Sequence, residues 1–242
     1  MKTFEDLVEG LTNLKKMGFV TTHRPGNTGV GKTLEDLLGI SENNFAGPDG
    51  KDTELKATRK SATSMLTLFT KSPLPKGINS KLREEYGYPD EKFPNKLILH
   101  TTIDSINFNI IRGKKGFKIS YAKDNIVILP FRKPSKFPMM SNPYWPKEFF
   151  EKSISNKYRK SLLYVKADSK GTGNQEQFHF NEAWLLEGFD FLKFVEQLAN
   201  GILKVDIRLG LYEDGRYHDH GTGVRIQPEL LDECFTKRVR II

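Results

Sequence analysis

The stretch Pro48 to Lys56 reads P-D-G-K-D-T-E-L-K, with two aspartates, a glutamate and two lysines inside nine residues. Side chains of an extended strand alternate between its faces. Glu54 and Lys56 therefore share one face, and Leu55 points to the core. Asp49 arrives from a bend that Gly50 permits. A carboxylate beside a Glu-x-Lys strand supplies oxygen ligands for a hard cation such as Mg²⁺, which shares itself with substrate phosphates. Lys56 then stands where it orients a water or offsets charge growing on a phosphate. The plainer alternative is a charged turn followed by a solvated strand.

The rest of the composition narrows the partners. The chain has 242 residues, long enough for one large domain with a buried core. Its 38 Lys and Arg against 30 Asp and Glu leave a net charge of +8. A basic surplus favours a polyanionic partner, nucleic acid first and an anionic membrane second. Cys234 is the single cysteine, which excludes an internal disulfide and a four-cysteine zinc site. That usage fits a reducing cytoplasm, and a cytoplasmic location is expected. Met1 to Leu7 carries no signal-peptide apolar run, and no stretch reaches the ~18 apolar residues of a membrane span.

Apolar residues at Phe4, Leu7, Val8, Leu11 and Leu14 predict a helix that stops at Gly18. A loop is expected over Asn43 to Gly50. Met65 to Thr70 predicts a strand, pairing with Glu54 to Thr58. Lys96 to Lys133 is β-rich, including I-N-F-N-I-I-R from Ile106, and predicts an antiparallel meander. Pro134 to Pro143 is a proline-containing loop. Trp145 to Ile154 predicts a helix with Pro146 in its first turn. A strand over Ser161 to Ala167, a helix over Asp190 to Ala199 and a strand over Lys204 to Tyr212 follow. Without a strict β-α repeat, this order predicts one α/β domain: a mixed β-sheet flanked by helices, with a two-lobed shape.

Gly26 to Thr33, G-N-T-G-V-G-K-T, satisfies the letter of the phosphate-binding P-loop. Its context is poor: T-T-H-R-P separates it from the preceding strand, and the helix expected over Thr33 to Leu38 is short. That helix carries Glu35, a further carboxylate toward the metal or a residue suited to a helix N-terminal end.

Asp206 and Arg208 alternate onto one face of the late strand, and H-D-H-G-T-G-V-R-I follows from His218. Arginine donates bidentately to guanine, and aspartate accepts from the cytosine amino group. Asp206, Arg208, Asp219 and Arg225 thus suit the reading of G·C pairs, with His218 and His220 beside them. Zinc at His-x-His and a surface ion-pair network are the competing readings. His23, His100 and His179 stand isolated and read as structural.

Together these stretches resemble the MvaI/BcnI family of Type II restriction endonucleases, relatives of the repair nuclease MutH. The resemblance rests on Gly26–Leu38, on Pro48–Asp49 with Glu54–Lys56, and on L-T-L-F-T-K-S-P at Leu66–Pro73. V-D-I-R at Val205–Arg208 and the His218–Ile226 run complete it, and E-Q-F-H-F at Glu176–Phe180 resembles one branch of the family. It implies a restriction-endonuclease-like PD-(D/E)xK core spanning residues 1–242, with the catalytic part mainly in 1–95 and the recognition part mainly in 160–242. It implies Asp49, Glu54, Lys56 and Glu35 as catalytic residues, and Mg²⁺ held by Asp49, Glu54 and the Leu55 carbonyl. It implies double-stranded DNA read by Asp206, Arg208, His218, Asp219, His220 and Arg225, with Thr70 and Lys71 also at the DNA. Thr70 stands where one branch has a histidine, so the resemblance leans to CC(A/T)GG among CC-N-GG sites. A monomer that nicks one strand at a time and a cognate DNA methyltransferase in the host are further expectations. A MutH-like nickase with another target, a DNA-binding protein without catalysis and a P-loop nucleotidase are the alternatives.

Overall fold

The computed structural model describes residues 1–41, 47–112, 115–132 and 143–242. Its first elements are α1 (Phe4–Met17), β1 (Val20–Thr21), α2 (Gly29–Leu37), β2 (Thr53–Arg59), β3 (Leu66–Thr70), α3 (Ile78–Tyr86), β4 (Tyr88–Pro89) and β5 (Leu97–Ile103). Next come β6 (Lys115–Ala122), β7 (Asn125–Arg132), β8 (Tyr144–Pro146), α4 (Lys147–Lys157), β9 (Ser161–Lys170) and β10 (Gln177–Glu187). The last are α5 (Phe191–Ala199), β11 (Lys204–Leu211), β12 (Tyr217–Asp219), β13 (Gly223–Ile226) and β14 (Lys237–Arg240). The fold is mixed α/β, as expected. It divides into two compact units: Met1–Ser64 with Glu151–Lys193 and Pro228–Ile242, and Met65–Phe150 with Phe194–Gln227.

In the first unit, the Thr3 hydroxyl accepts from Asp6 N–H while the Asp6 carboxylate accepts from Thr3 N–H at 2.8 Å, a reciprocal cap that starts α1. Lys15 and Lys16 complement its C-terminal end, and Gly18, at φ 74°, ends it. Leu7, Leu11 and Leu14 are buried one turn apart, against Val30, Leu34 and Leu38 around α2 and against Leu55 of β2. Each such leucine contributes roughly 1.5–3 kcal/mol through burial. The sheet beneath runs β1-β10-β9-β2, with β14 also on β10. β2 pairs parallel with β9, from Thr53 opposite Ser161 to Arg59 opposite Ala167.

In the second unit a sheet runs β3-β13-β11-β5-β4, with β12 also on β11, and a separate three-stranded sheet runs β6-β7-β8. Val205, Ile207 and Leu209 are buried on one face of β11, as alternation requires. Phe150 and Phe194 stack at 4.8 Å within this unit's core.

Several expectations change. β3 pairs with β13, so β2 and β3 are not partners; β2 takes β9, 108 residues later where Thr53 meets Ser161. The meander fails because β5 joins β11 and β4, while β6 and β7 form a hairpin elsewhere. Between β5 and β6, Ile106 to Arg112 is no strand. The Asp104 carboxylate accepts from the N–H groups of Ile106 and Asn107 and turns the chain there. α2 begins at Gly29 rather than Thr33, since Val30 and Leu34, one turn apart, both face the core. Pro146 ends β8 instead of opening α4, which runs on to Lys157. Residues 43–46 of the loop expected over 43–50, and nearly all of that expected over 134–143, lie outside the described residues.

Candidate functional site

In the first unit, β2 enters after the Asp49 bend. Asp49 Oδ2 accepts from the Leu55 N–H at 3.0 Å, which fixes the bend against the strand. Leu55 packs in the core, so its neighbours face the other way. Lys56 Nζ lies 3.2 Å from Glu54 Oε1, and Lys157 Nζ of α4 lies 3.1 Å from the same oxygen. The Glu54 side chain is 2 % exposed, and its Oε2 is buried with no hydrogen-bond partner. Burial away from water pushes the Glu54 carboxyl above its usual range; Asp49 pushes the same way, and Lys56 and Lys157 oppose. Burial, with the charges of Glu54, Cys234 and Asp49, also holds the Tyr158 phenol well above its usual range. Glu35, Asp49 and Lys157 line one cleft. Asp52, the second aspartate of the Pro48–Lys56 stretch, is engaged elsewhere, 2.7 Å from Lys160 Nζ.

The oxygen-rich set fits a hard divalent cation. A buried carboxylate oxygen without a donor, beside a second carboxylate and a strand backbone, is an uncompensated acceptor that a cation satisfies. Among the described residues no group of three or more His, Cys, Asp or Glu is close enough to hold a metal. Two carboxylates and a backbone carbonyl would thus be the protein's share, as suits an ion that keeps several waters.

The P-loop look-alike is occupied by the fold. Lys32 Nζ pairs with Asp36 at 2.7 Å, and the fully buried Thr33 hydroxyl accepts from the His23 N–H at 2.9 Å. His23 Nδ1 is also 2.9 Å from Asp36.

The second constellation sits on the exposed face of β11 in the second unit. Asp206 is buried; its Oδ1 accepts from the Thr102 hydroxyl at 2.9 Å and its Oδ2 from Arg208 Nε at 2.6 Å. Arg225 Nε lies 3.0 Å from the same Oδ2 but off hydrogen-bond geometry, leaving that buried donor unpaired. One carboxylate thus aims two guanidinium groups. Asp219 stays exposed while its carboxylate is held in place: its Oδ2 accepts from Asn79 Nδ2 at 2.9 Å and its Oδ1 from the Gly221 N–H at 2.8 Å. The His218 and His220 rings meet edge to face at 3.9 Å, and Tyr212 packs tilted against His218 at 4.2 Å. Burial, with the charges of His218, His100 and Arg208, holds the His220 imidazole below its usual range. Thr70 lies opposite Gly223, and Lys71 donates its N–H to Thr222 O at 2.9 Å.

Sequence reasoning missed four contributors. Lys157, one lysine among many, carries no local signal. Thr102 and Asn79 orient the two aspartates from β5 and α3. His100 is not isolated, for it lines a cavity with Thr102, Asp206, Arg208 and His220. The alternation of His100 and Thr102 in K-L-I-L-H-T-T-I was the signal available.

Residues 8–235 match the model of the MvaI/BcnI restriction endonuclease family. The chain belongs to this family. Among solved structures, the complex of restriction endonuclease MvaI with its cognate DNA substrate is 33 % identical over 100 % of both chains, with a TM-score of 0.88. MvaI in the absence of DNA matches at the same identity and coverage with a TM-score of 0.62. No curated protein sequence matches. The MvaI/BcnI member described here is thus a Type II restriction endonuclease with the mixed α/β fold of MvaI, and its family generally uses a divalent metal. No helix among the described residues is long and apolar enough to cross a membrane.

Proposed function

We propose that this restriction endonuclease hydrolyses double-stranded DNA at a short CC-N-GG site, with A or T favoured at the centre, in the presence of Mg²⁺. The carrying observation is the buried Glu54 carboxylate, its Oε2 without a partner, beside Asp49 and flanked by Lys56 and Lys157. Asp49, Glu54 and the Leu55 carbonyl would hold the cation, which when bound supplies Lewis-acid polarisation of the phosphate and a more acidic water. Lys56 orients the attacking water, whose proton passes to bulk water. Lys157 offsets charge that builds on the phosphate oxygens. Glu35, at the cleft rim, accepts from a water that enters it. The products carry 5′-phosphate and 3′-hydroxyl ends.

The catalytic side chains all belong to the first unit and the proposed base readers to the second. Arg208 and Arg225 donate to guanine edges, and Asp206 holds their orientation. His218, Asp219, His220, Thr70 and Lys71 complete the DNA contacts. The enzyme acts as a monomer that nicks one strand and then rebinds, in a cytoplasm that also holds a protecting methyltransferase. The residues of the P-loop look-alike are taken up by Asp36 and the His23 backbone, which supports the nuclease reading over a nucleotidase.

Incubation of a sequenced plasmid with Mg²⁺ or with EDTA, followed by end mapping, tests this. Cuts at CC(A/T)GG only with Mg²⁺ are expected. Asp49→Ala should lower cleavage by at least about a thousandfold while site-specific binding survives. Full activity of that variant removes Asp49 from the centre, and cuts at an unrelated sequence point to a MutH-like nickase instead.

A further inference from the structure

We propose that His100 is a specificity-determining residue, paired with His220 as a two-imidazole reader of one base edge beside Arg208. The inference rests on the base-reading role given above to β11, and it adds a residue that sequence reasoning set aside as structural.

The geometry begins with alternation. Asp206, Arg208 and Gly210 share the face of β11 opposite the buried Val205, Ile207 and Leu209. Across the ladder, His100 of β5 stands opposite Arg208, and Thr102 stands opposite Asp206. On the other flank His218 of β12 stands opposite Gly210, and the His220 N–H donates to the Arg208 carbonyl at 3.0 Å. A Cβ placed on Gly210 would lie 3.0 Å from His100 Nε2 and 3.7 Å from His220 Nε2. The outer nitrogens of two imidazoles, one on β5 and one on the loop that follows β12, therefore converge on the one point of this face that lacks a side chain. Glycine inside a strand is unfavourable unless something must come close there. Here the missing methyl keeps the floor open between the rings, within a cavity of about 450 Å³ lined by His100, Thr101, Thr102, Asp206, Arg208 and His220.

The chemistry of that floor is selective. Tyr212 packs against His218 and His218 abuts His220, so the His220 ring is held from behind. A neutral imidazole has one donor and one acceptor nitrogen, set by its tautomer. Two of them together match a base edge that offers both a donor and an acceptor. Adenine presents that combination in the major groove, whereas guanine presents two acceptors there and suits the neighbouring arginine.

The test uses the full-length enzyme with Mg²⁺ and a panel of duplex oligonucleotides carrying CCAGG/CCTGG and every single-base change of it. His100→Ala should lower discrimination at one base-pair position by about tenfold, a typical worth for a base-edge contact. Discrimination at the other positions should be retained, and His100→Gln, which keeps a donor and an acceptor, should restore part of the loss. Gly210→Ala should reproduce the loss at the same position. Arg208→Ala run in parallel separates the two levels of inference. If Arg208→Ala relaxes a G·C position while His100→Ala changes nothing, the His100 inference is overturned and the reading of β11 stands. If neither variant alters discrimination, both fall. A uniform loss at all positions in His100→Ala, with unchanged ratios, assigns His100 a structural role and likewise overturns the inference.

Discussion

At the scale of single residues, Glu54 carries opposing demands. In the proposed role its carboxylate must be ionised to serve a cation, yet burial raises its pKa, so the metal-free protein holds the charged form at a cost. A folded-state pKa above the unfolded value means the native state binds the proton more tightly. That contribution is present below the ordinary carboxylate range and is lost as pH rises through the raised value. Glu54→Gln removes the burden, while Lys56 and Lys157, 14 % and 30 % exposed, stay hydrated. In EDTA the thermal midpoint of Glu54→Gln should therefore gain on that of the wild type as pH rises from about 4 to 7. Added Mg²⁺ should raise only the wild-type midpoint, because a ligand stabilises the state that binds it. Midpoints that stay parallel across pH would show that Glu54 is not strained by burial. Alternation alone placed Glu54 and Lys56 together and Leu55 in the core. It had no means to find Lys157, whose approach to Glu54 depends on α4, a hundred residues downstream.

At the scale of elements, legibility followed the range of the forces that shape each one. α1 was readable because its leucine spacing and its Gly18 stop are local, as is the cap that starts it. The one local anomaly, Gly10 within the helix, has a packing reason: a Cβ there would come within 2.6 Å of Leu38 Cδ2. The strand partners were not readable. β2 and β3 are adjacent in sequence and would be natural neighbours, but β2 needs a parallel partner that lets Leu55 join Leu163 and Val165 in one core. α2 links fold to chemistry, since it carries Glu35 to the cleft while Leu34 anchors it, fully buried among the leucines of α1. Leu34→Ala should cost about 2–5 kcal/mol, since the core cannot close over the lost side chain. Urea unfolding with an unchanged slope and a lower midpoint would register it. A cost below about 1 kcal/mol would show that α2 is not anchored by this residue.

At the scale of the whole molecule, no linear cut of the sequence separates the two compact units, because each is assembled from interrupted segments. The stretch 1–95 is shared at residue 64, and 160–242 is shared at residues 193 and 227. Composition cannot reveal such interleaving, but net charge survives any partition of the chain. A surplus of eight positive charges attracts a duplex before any base is read. Each phosphate neutralised on binding releases condensed counterions, so affinity falls with salt by a logarithmic slope of about 0.9 per contact. Engagement of about five phosphates predicts a slope near −4.5 for a duplex lacking the site, measured by anisotropy in EDTA between roughly 50 and 200 mM salt. Arg208→Ala, which removes a proposed base reader, should shift that line by at most about one unit of slope while lowering preference for the specific duplex. A slope near zero would mean that the basic surplus faces away from DNA, and that affinity comes from base contacts alone.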